Sequence, residues 1–297
     1  MNALEFNGIR RAYTKGNNVL DGVSFSIEPG QVVGLLGKNG AGKTTLIRIA
    51  MGMIEPQEGT ARVLGMDPRG DAVEVKRRVG YVAEDQILPP FLTIERVLDL
   101  HRQLYPNWDD EMAASLVERF ELPATKKIKS LSKGQARRVA LLCAVAHRPE
   151  LLLLDEPASG LDPAARREFL ETSIRLLNET GTSILFSSHY MADVERLADR
   201  IVMIHDGSVL IDSGLDEIHE GFSLAMLPRA NGLDTDRIRA LEPCVGVREH
   251  PGGFHAILRL APFEAQAAVE QGLGVAEARC QSIALEDIFV ELAGGAS

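Results

Sequence analysis

Gly37-Lys38-Asn39-Gly40-Ala41-Gly42-Lys43-Thr44 decides the fold of this chain. The octet satisfies the pattern G-x-x-x-x-G-K-[ST]; an apolar run, Gln31 to Leu36, leads into it and a helical run opens behind it at Thr45. Three glycines let the backbone curl until its N–H groups face inward, where they meet phosphate oxygens. Lys43 then offers a point charge to the outer phosphates, and the Thr44 hydroxyl offers a ligand to Mg2+. The expected nucleotide contacts are Gly37, Lys38, Asn39, Gly40, Ala41, Gly42, Lys43, Thr44 and Thr45. Alone, this loop implies a nucleotide-binding P-loop fold of the α/β class and nothing finer.

The second half of such a site is Leu151-Leu152-Leu153-Leu154-Asp155-Glu156. A short apolar run bounded by polar residues reads as a strand buried on both faces of a sheet. Its end would deliver Asp155 to the metal and Glu156 to a position where a carboxylate polarises water against the terminal phosphate. Seen alone, Asp-Glu after an apolar run is as readily a strand end meeting solvent; the phosphate-binding loop upstream tips the reading toward chemistry.

Outward from these two stretches the chain reads as two domains, which its 297 residues can accommodate. Residues 1–221 start strand-rich and then alternate strand with helix, including a strand from Thr182 to Phe186 behind the helical stretch Ala164 to Glu179. Within them a charged, helical subdomain is expected over about residues 85–145. Residues 222–297 read as a small α+β domain: strand Phe222 to Leu227, helix Thr235 to Leu241, a hairpin turning at His250-Pro251-Gly252-Gly253, helix Pro262 to Gln271, a strand, and a helix Leu285 to Leu292.

Composition narrows the partners. With 42 acidic against 32 basic residues the net charge is −10, which disfavours binding to a nucleic-acid backbone. No apolar run approaches the roughly 18 residues of a membrane span, and Met1-Asn2-Ala3-Leu4-Glu5 lacks a signal-peptide pattern. The expectation is a cytoplasmic protein whose action at a membrane needs another chain. Cys143, Cys244 and Cys280 form no metal pattern and read as structural.

At Leu131-Ser132-Lys133-Gly134-Gln135 the chain resembles a family: the pentapeptide is similar to the L-S-G-G-Q signature of ABC ATPases, and the likeness covers residues 1 to about 214. Tyr13 lies where that family has an aromatic residue that stacks on adenine. Ser159-Gly160-Leu161-Asp162 looks like its D-loop, and His189 like its switch histidine. The resemblance implies a head-to-tail dimer, with ATP sandwiched between the phosphate-binding loop of one copy and the signature of the other. Ser132, Gly134 and Gln135 would then meet the opposite ATP, where a helix N-terminus suits an anion. Asp162 would communicate across the interface, and Glu156 and His189 would be the catalytic pair.

Two positions depart from the family. Its Q-loop glutamine is replaced by Glu84 in Tyr81-Val82-Ala83-Glu84-Asp85-Gln86. Glu84 could bind Mg2+ while repelling the terminal phosphate; it could point away, leaving the loop to serve only the membrane partner; or Gln86 could substitute for the glutamine. Lys133 fills the third signature position, either as a solvated side chain or as an added charge near the opposite phosphate. The reading that follows is an ATP-hydrolysing, energy-coupling subunit of an ABC transporter, of the exporter-associated group by its Tyr105-Pro106-Asn107-Trp108 stretch, signature and tail. Its partners would be a second copy and separate membrane-spanning permease subunits, holding it at the inner face of the membrane. A soluble ABC ATPase acting as an assembly or regulatory factor is the rival; the absence of sustained heptads between Thr45 and Ser130 argues against the chromosome-associated kind.

Overall fold

The structure, a computed structural model, describes residues 1–294 except 15, 16, 86, 87, 179, 180, 230, 231 and 277. It divides into two compact units, Met1–Asp212 and Ser213–Ser297. The sequence places punctuation at both Gly214 and Gly221, and composition alone does not choose between them. The expected boundary after Gly221 took the second, whereas the helix Leu215–Gly221 groups with the second unit.

The first unit runs β1 (Leu4–Thr14), β2 (Asn17–Ile27), β3 (Val32–Leu36), α1 (Lys43–Ala50), β4 (Glu58–Val63), α2 (Ala72–Arg78) and β5 (Val79–Val82). Next come α3 (Ile94–Leu104), α4 (Asp110–Arg119), a 3-10 turn (Ile128–Ser130) and α5 (Lys133–Val145), the helical stretch expected over about residues 85–145. The unit closes with β6 (Leu151–Leu154), α6 (Pro163–Asn178), β7 (Ser183–Ser188), α7 (Met191–Leu197), β8 (Arg200–His205) and most of β9 (Ser208–Gly214), whose last two residues fall beyond the boundary at Asp212.

Two sheets result: an antiparallel β2-β1-β4 and a six-stranded β5-β6-β7-β3-β8-β9. In the second, β3, β5, β6, β7 and β8 pair in parallel. Every residue of β3, β6 and β7 is buried; β3 and β6 accordingly read as unbroken apolar runs rather than alternations, while β7 carries buried serines at both ends. Helix α7 lies close on β3: a Cβ at Gly34 would come within 2.3 Å of the Val194 side chain. The core joins β1 and β2 residues such as Phe6 and Phe25, whose rings lie 5.1 Å apart, to Val33, Leu35, Leu46, Leu151 and Leu153. Because β7 sits between β3 and β6, the carboxyl ends of these three strands open on one edge, the usual location of a site in a parallel sheet.

The second unit contains α8 (Leu215–Gly221), β10 (Ser223–Pro228), α9 (Thr235–Arg239), β11 (Cys244–His250), β12 (Gly253–Leu258), α10 (Pro262–Leu273), β13 (Arg279–Ser282) and α11 (Leu285–Gly294). From β10 to β13 the order is βαββαβ and the sheet is antiparallel, β11-β12-β10-β13, a ferredoxin-like arrangement. Its core joins Ala225 and Leu227 of β10 to Ala265 and Val269 of α10. All three cysteines are free thiols. Burial pushes the Cys143 thiol up to about 12, so it packs rather than reacts.

Candidate functional site

The loop between β3 and α1 takes a shape that only glycine permits at two points. Gly40 has φ +85° and Gly42, the N-cap of α1, has φ +104°. A Cβ at Gly42 would also lie 2.8 Å from the Val19 carbonyl oxygen, which fixes how closely the loop lies on β2. Lys43, 5 % exposed, folds back into the loop, and its Nζ donates to the carbonyls of Gly37 at 2.7 Å and Lys38 at 3.3 Å.

At the end of β6, Asp155 and Glu156 meet this loop. The Thr44 hydroxyl donates to Asp155 Oδ1 at 3.0 Å, and Lys43 Nζ lies 3.3 Å from Glu156 Oε1. Glu156 sits in the left-handed region at φ 44°, a costly conformation for a non-glycine residue and one that gathers at functional sites. His189 Nδ1 lies 2.9 Å from Glu156 Oε2. Glu156 Oε1 is buried, and among the described residues it has an ionic neighbour but no hydrogen-bond partner. That leaves one carboxylate oxygen able to accept from a water.

The strand between the two halves supplies a residue that motif reasoning missed. Ser187 of β7 is fully buried; its hydroxyl accepts from the Glu156 N–H at 2.8 Å and donates to Asp155 Oδ1 at 3.0 Å. The sequence shows only that serines bound a short apolar stretch, Ile184 to Phe186; the role of Ser187 depends on β7 lying between β3 and β6. Burial holds the Asp155 carboxyl above its ordinary range, the negative charges of Glu84 and Glu156 push the same way, and the Ser187 and Thr44 hydroxyls oppose them.

A cleft of about 410 Å³ opens over these groups. Lys38, Asn39, Gly40, Gly42, Lys43, Thr44 and Thr45 line it, together with Tyr13, and Glu84 and Glu156 contribute carboxylates. Tyr13 is 55 % exposed, with its hydroxyl 3.3 Å from Thr45 Oγ1, so the ring offers a free face for stacking. Ala41 does not line the cleft; it packs against the core. Glu84 does line it, and accepts from the Ser159 hydroxyl at 3.3 Å, so it does not point away. Gln86 lies outside the described residues. Arg137, half-buried on α5, donates to the Ala83 carbonyl at 2.8 Å and ties the signature helix to this segment, a contact not foreseen from sequence.

The remaining predicted residues are not brought to the chain's own cleft. Ser132 caps α5 reciprocally with Gln135, each side chain meeting the other's backbone N–H at 3.2 Å. Asp162 Oδ1 accepts from the N–H groups of Ala164 and Ala165, both at 3.1 Å, and so caps α6. At Gly134 a Cβ would meet only Leu161, at 3.8 Å; nothing described within the chain requires a glycine there. Lys133 is exposed, with its Nζ near the D-loop glycine, Gly160.

Mg2+ suits the donors present. Thr44 and Asp155 bring a hydroxyl and a carboxylate to one point, and among the described residues no cluster of three His, Cys, Asp or Glu could hold a metal by itself. A hard cation that keeps waters and takes further oxygens from a nucleotide's phosphates fits such a sparse set.

The chain as a whole is similar to several known proteins. Residues 20–159 match the family described as ABC transporter. The chain is 32 % identical to the ABC transporter ATP-binding protein YtrB of Bacillus subtilis, over 94 % of each chain. It is 35 % identical to the Nod factor export ATP-binding protein I of Paraburkholderia xenovorans, over 81 % of this chain and 78 % of that one. Among solved structures, the ATP-binding subunit of an ABC transporter superposes with a TM-score of 0.66 at 31 % identity, covering 73 % of this chain and 92 % of the other.

Proposed function

We propose that this chain, which belongs to the ABC transporter ATP-binding proteins and is an ATPase, turns over ATP between two copies of itself and drives export through separate permease subunits. The observation that carries the reading is a division of the site. Lys43, Thr44, Asp155, Glu156 and His189 are joined by direct contacts, and Lys43, Thr44 and Glu156 among them line one cleft. The signature residues stand apart from it at an exposed helix start, with a glycine whose own surroundings do not need one.

Lys43 is held by two loop carbonyls and Glu156. The β- and γ-phosphates of ATP compete for that ammonium and draw it off Glu156, which frees the carboxylate for water. His189, bonded to the other carboxylate oxygen, fixes its direction. Glu156 then accepts a proton as the water oxygen attacks the γ-phosphorus and the bond to the β–γ bridging oxygen breaks, giving ADP and phosphate. Thr44 and Asp155 would hold Mg2+, which when bound neutralises charge developing on the phosphates. Tyr13 stacks on adenine. The partner copy supplies the N-terminus of its signature helix, with Ser132 and the Gly134 N–H, to the γ-phosphate.

Among the described residues no helix is long and apolar enough to cross a membrane, in keeping with permease subunits encoded separately and a position at the membrane's inner face. The export protein among its relatives, alike over 81 % of this chain, supports the exporter direction. Two variants test the chemistry. Lys43→Ala should lose ATP binding, whereas Glu156→Gln should keep it and lose turnover by on the order of a hundredfold or more. Turnover by Glu156→Gln at the parental rate refutes the assignment.

A further inference from the structure

We propose that Arg166 and Tyr190 are positioning residues that set the imidazole of His189, and that through them the D-loop helix α6 acts on Glu156. The proposal rests on the catalytic reading of His189 and adds a route to it.

Arg166 lies one turn into α6, the helix that Asp162 caps. Its Cζ sits 3.7 Å from the centroid of the Tyr190 ring, a cation–π contact at close range. The Tyr190 ring in turn lies 3.9 Å from the His189 ring, inclined at 41°. His189 Nδ1 completes the series at 2.9 Å from Glu156. A continuous chain of contacts therefore runs from the start of α6 to the carboxylate.

Arg166 is itself pinned. Its Nε lies 3.0 Å from Asp193 Oδ2 on α7, with both side chains largely buried. The two atoms are not aligned for a hydrogen bond, so the ion pair holds the guanidinium's charge while the tyrosine face sets its plane. The backbone beneath is fixed separately: the Ser188 hydroxyl accepts from the Tyr190 N–H at 3.0 Å and donates to the Tyr190 carbonyl at 3.3 Å. The space left among Glu156, Arg166, Tyr190 and Asp193 is about 10 Å³, at the margin for a single water. Because guanidinium, phenol ring and imidazole are in direct contact, a shift of α6 is passed to the ring and from it to the imidazole. Tyr190 is 41 % exposed, so its ring is poorly placed to serve the core. Its packing surface is spent on Arg166 and His189.

Steady-state ATPase kinetics on the full chain test this, with nucleotide affinity and thermal unfolding measured in parallel. Tyr190→Leu should lower kcat by roughly ten- to a hundredfold, the scale of a small misplacement of a catalytic group, with ATP affinity and the unfolding temperature unchanged. Tyr190→Phe, which keeps the ring, should restore most of that loss. Arg166→Lys, which keeps the charge but not the planar face, should fall between them. Added to His189→Ala, Tyr190→Leu should change nothing further. Parental kcat in Tyr190→Leu beside an inactive His189→Ala overturns the proposal alone. Parental kcat in His189→Ala overturns the catalytic reading and the proposal together. A Tyr190→Leu loss that Phe does not restore, or that persists in the His189→Ala background, assigns Tyr190 another role and also overturns it.

Discussion

Removing the Ser187 hydroxyl should cost both stability and rate. In Ser187→Ala the Glu156 N–H, now paired at 2.8 Å, loses its acceptor, and Asp155 loses one of the two hydroxyls that its Oδ1 accepts. A buried donor left unpaired costs about 1–3 kcal/mol, and a hydrogen bond to a carboxylate contributes about 1.5–3 kcal/mol. The site is fully buried, so water offers little relief. Allowing for relaxation, the loss should be about 3 kcal/mol, which for a unit of this size lowers the unfolding temperature by roughly 6–12 °C. The same bond holds Glu156 in its left-handed conformation at φ 44°, so kcat should fall while ATP affinity is kept. Calorimetry of the nucleotide-free protein, followed by ATPase assays below the transition, measures both. A Ser187→Ala chain that unfolds with the parent and turns over at its rate would refute the reasoning.

Acid should weaken the first unit through His147. This side chain is buried against Tyr105, with ring centroids 4.1 Å apart, and burial lowers its pKa from 6.5 to about 4. The unfolded chain takes the proton first, so stability falls as pH drops from about 6.5 to about 4, by at most about 3 kcal/mol; His147→Phe should flatten that slope in denaturant titrations at stepped pH. Glu84→Gln removes a negative charge from the cleft, so it should tighten ATP binding and narrow the difference between Mg2+ and Mn2+ in the assay; identical metal profiles would show that Glu84 does not reach the phosphates. A fragment of residues 1–214, which keeps β9, should fold and bind ATP, because every residue given a chemical role lies between Tyr13 and His189. A folded fragment without ATP binding would place part of the site in the second unit.

What was legible in the sequence follows from how local each signal is. The runs Gln31 to Leu36 and Leu151 to Leu154 announce strands buried on both faces, and Gly40 and Gly42 announce a loop that other residues cannot form. The hairpin at His250 to Gly253 was equally plain, because its turn residues are contiguous. Ser187, Arg137 and the Arg166–Tyr190 stack were not legible. Their partners lie 31, 54 and 24 residues away, brought together by strand order and helix packing rather than by spacing. Glu84 falls between the two cases. The substitution was visible, but only the fold shows its carboxylate lining the cleft beside Ser159.

The sandwich itself is tested most directly by mass. Light scattering of Glu156→Gln with ATP and Mg2+ should give twice the 32.3 kDa of one chain, against a single chain without nucleotide. Adding Ser132→Arg, which fills the start of the signature helix, should leave ATP bound while the mass stays that of one chain. A Glu156→Gln protein that binds ATP yet remains a single chain, or a Ser132→Arg double variant that still dimerises on ATP, would contradict the account.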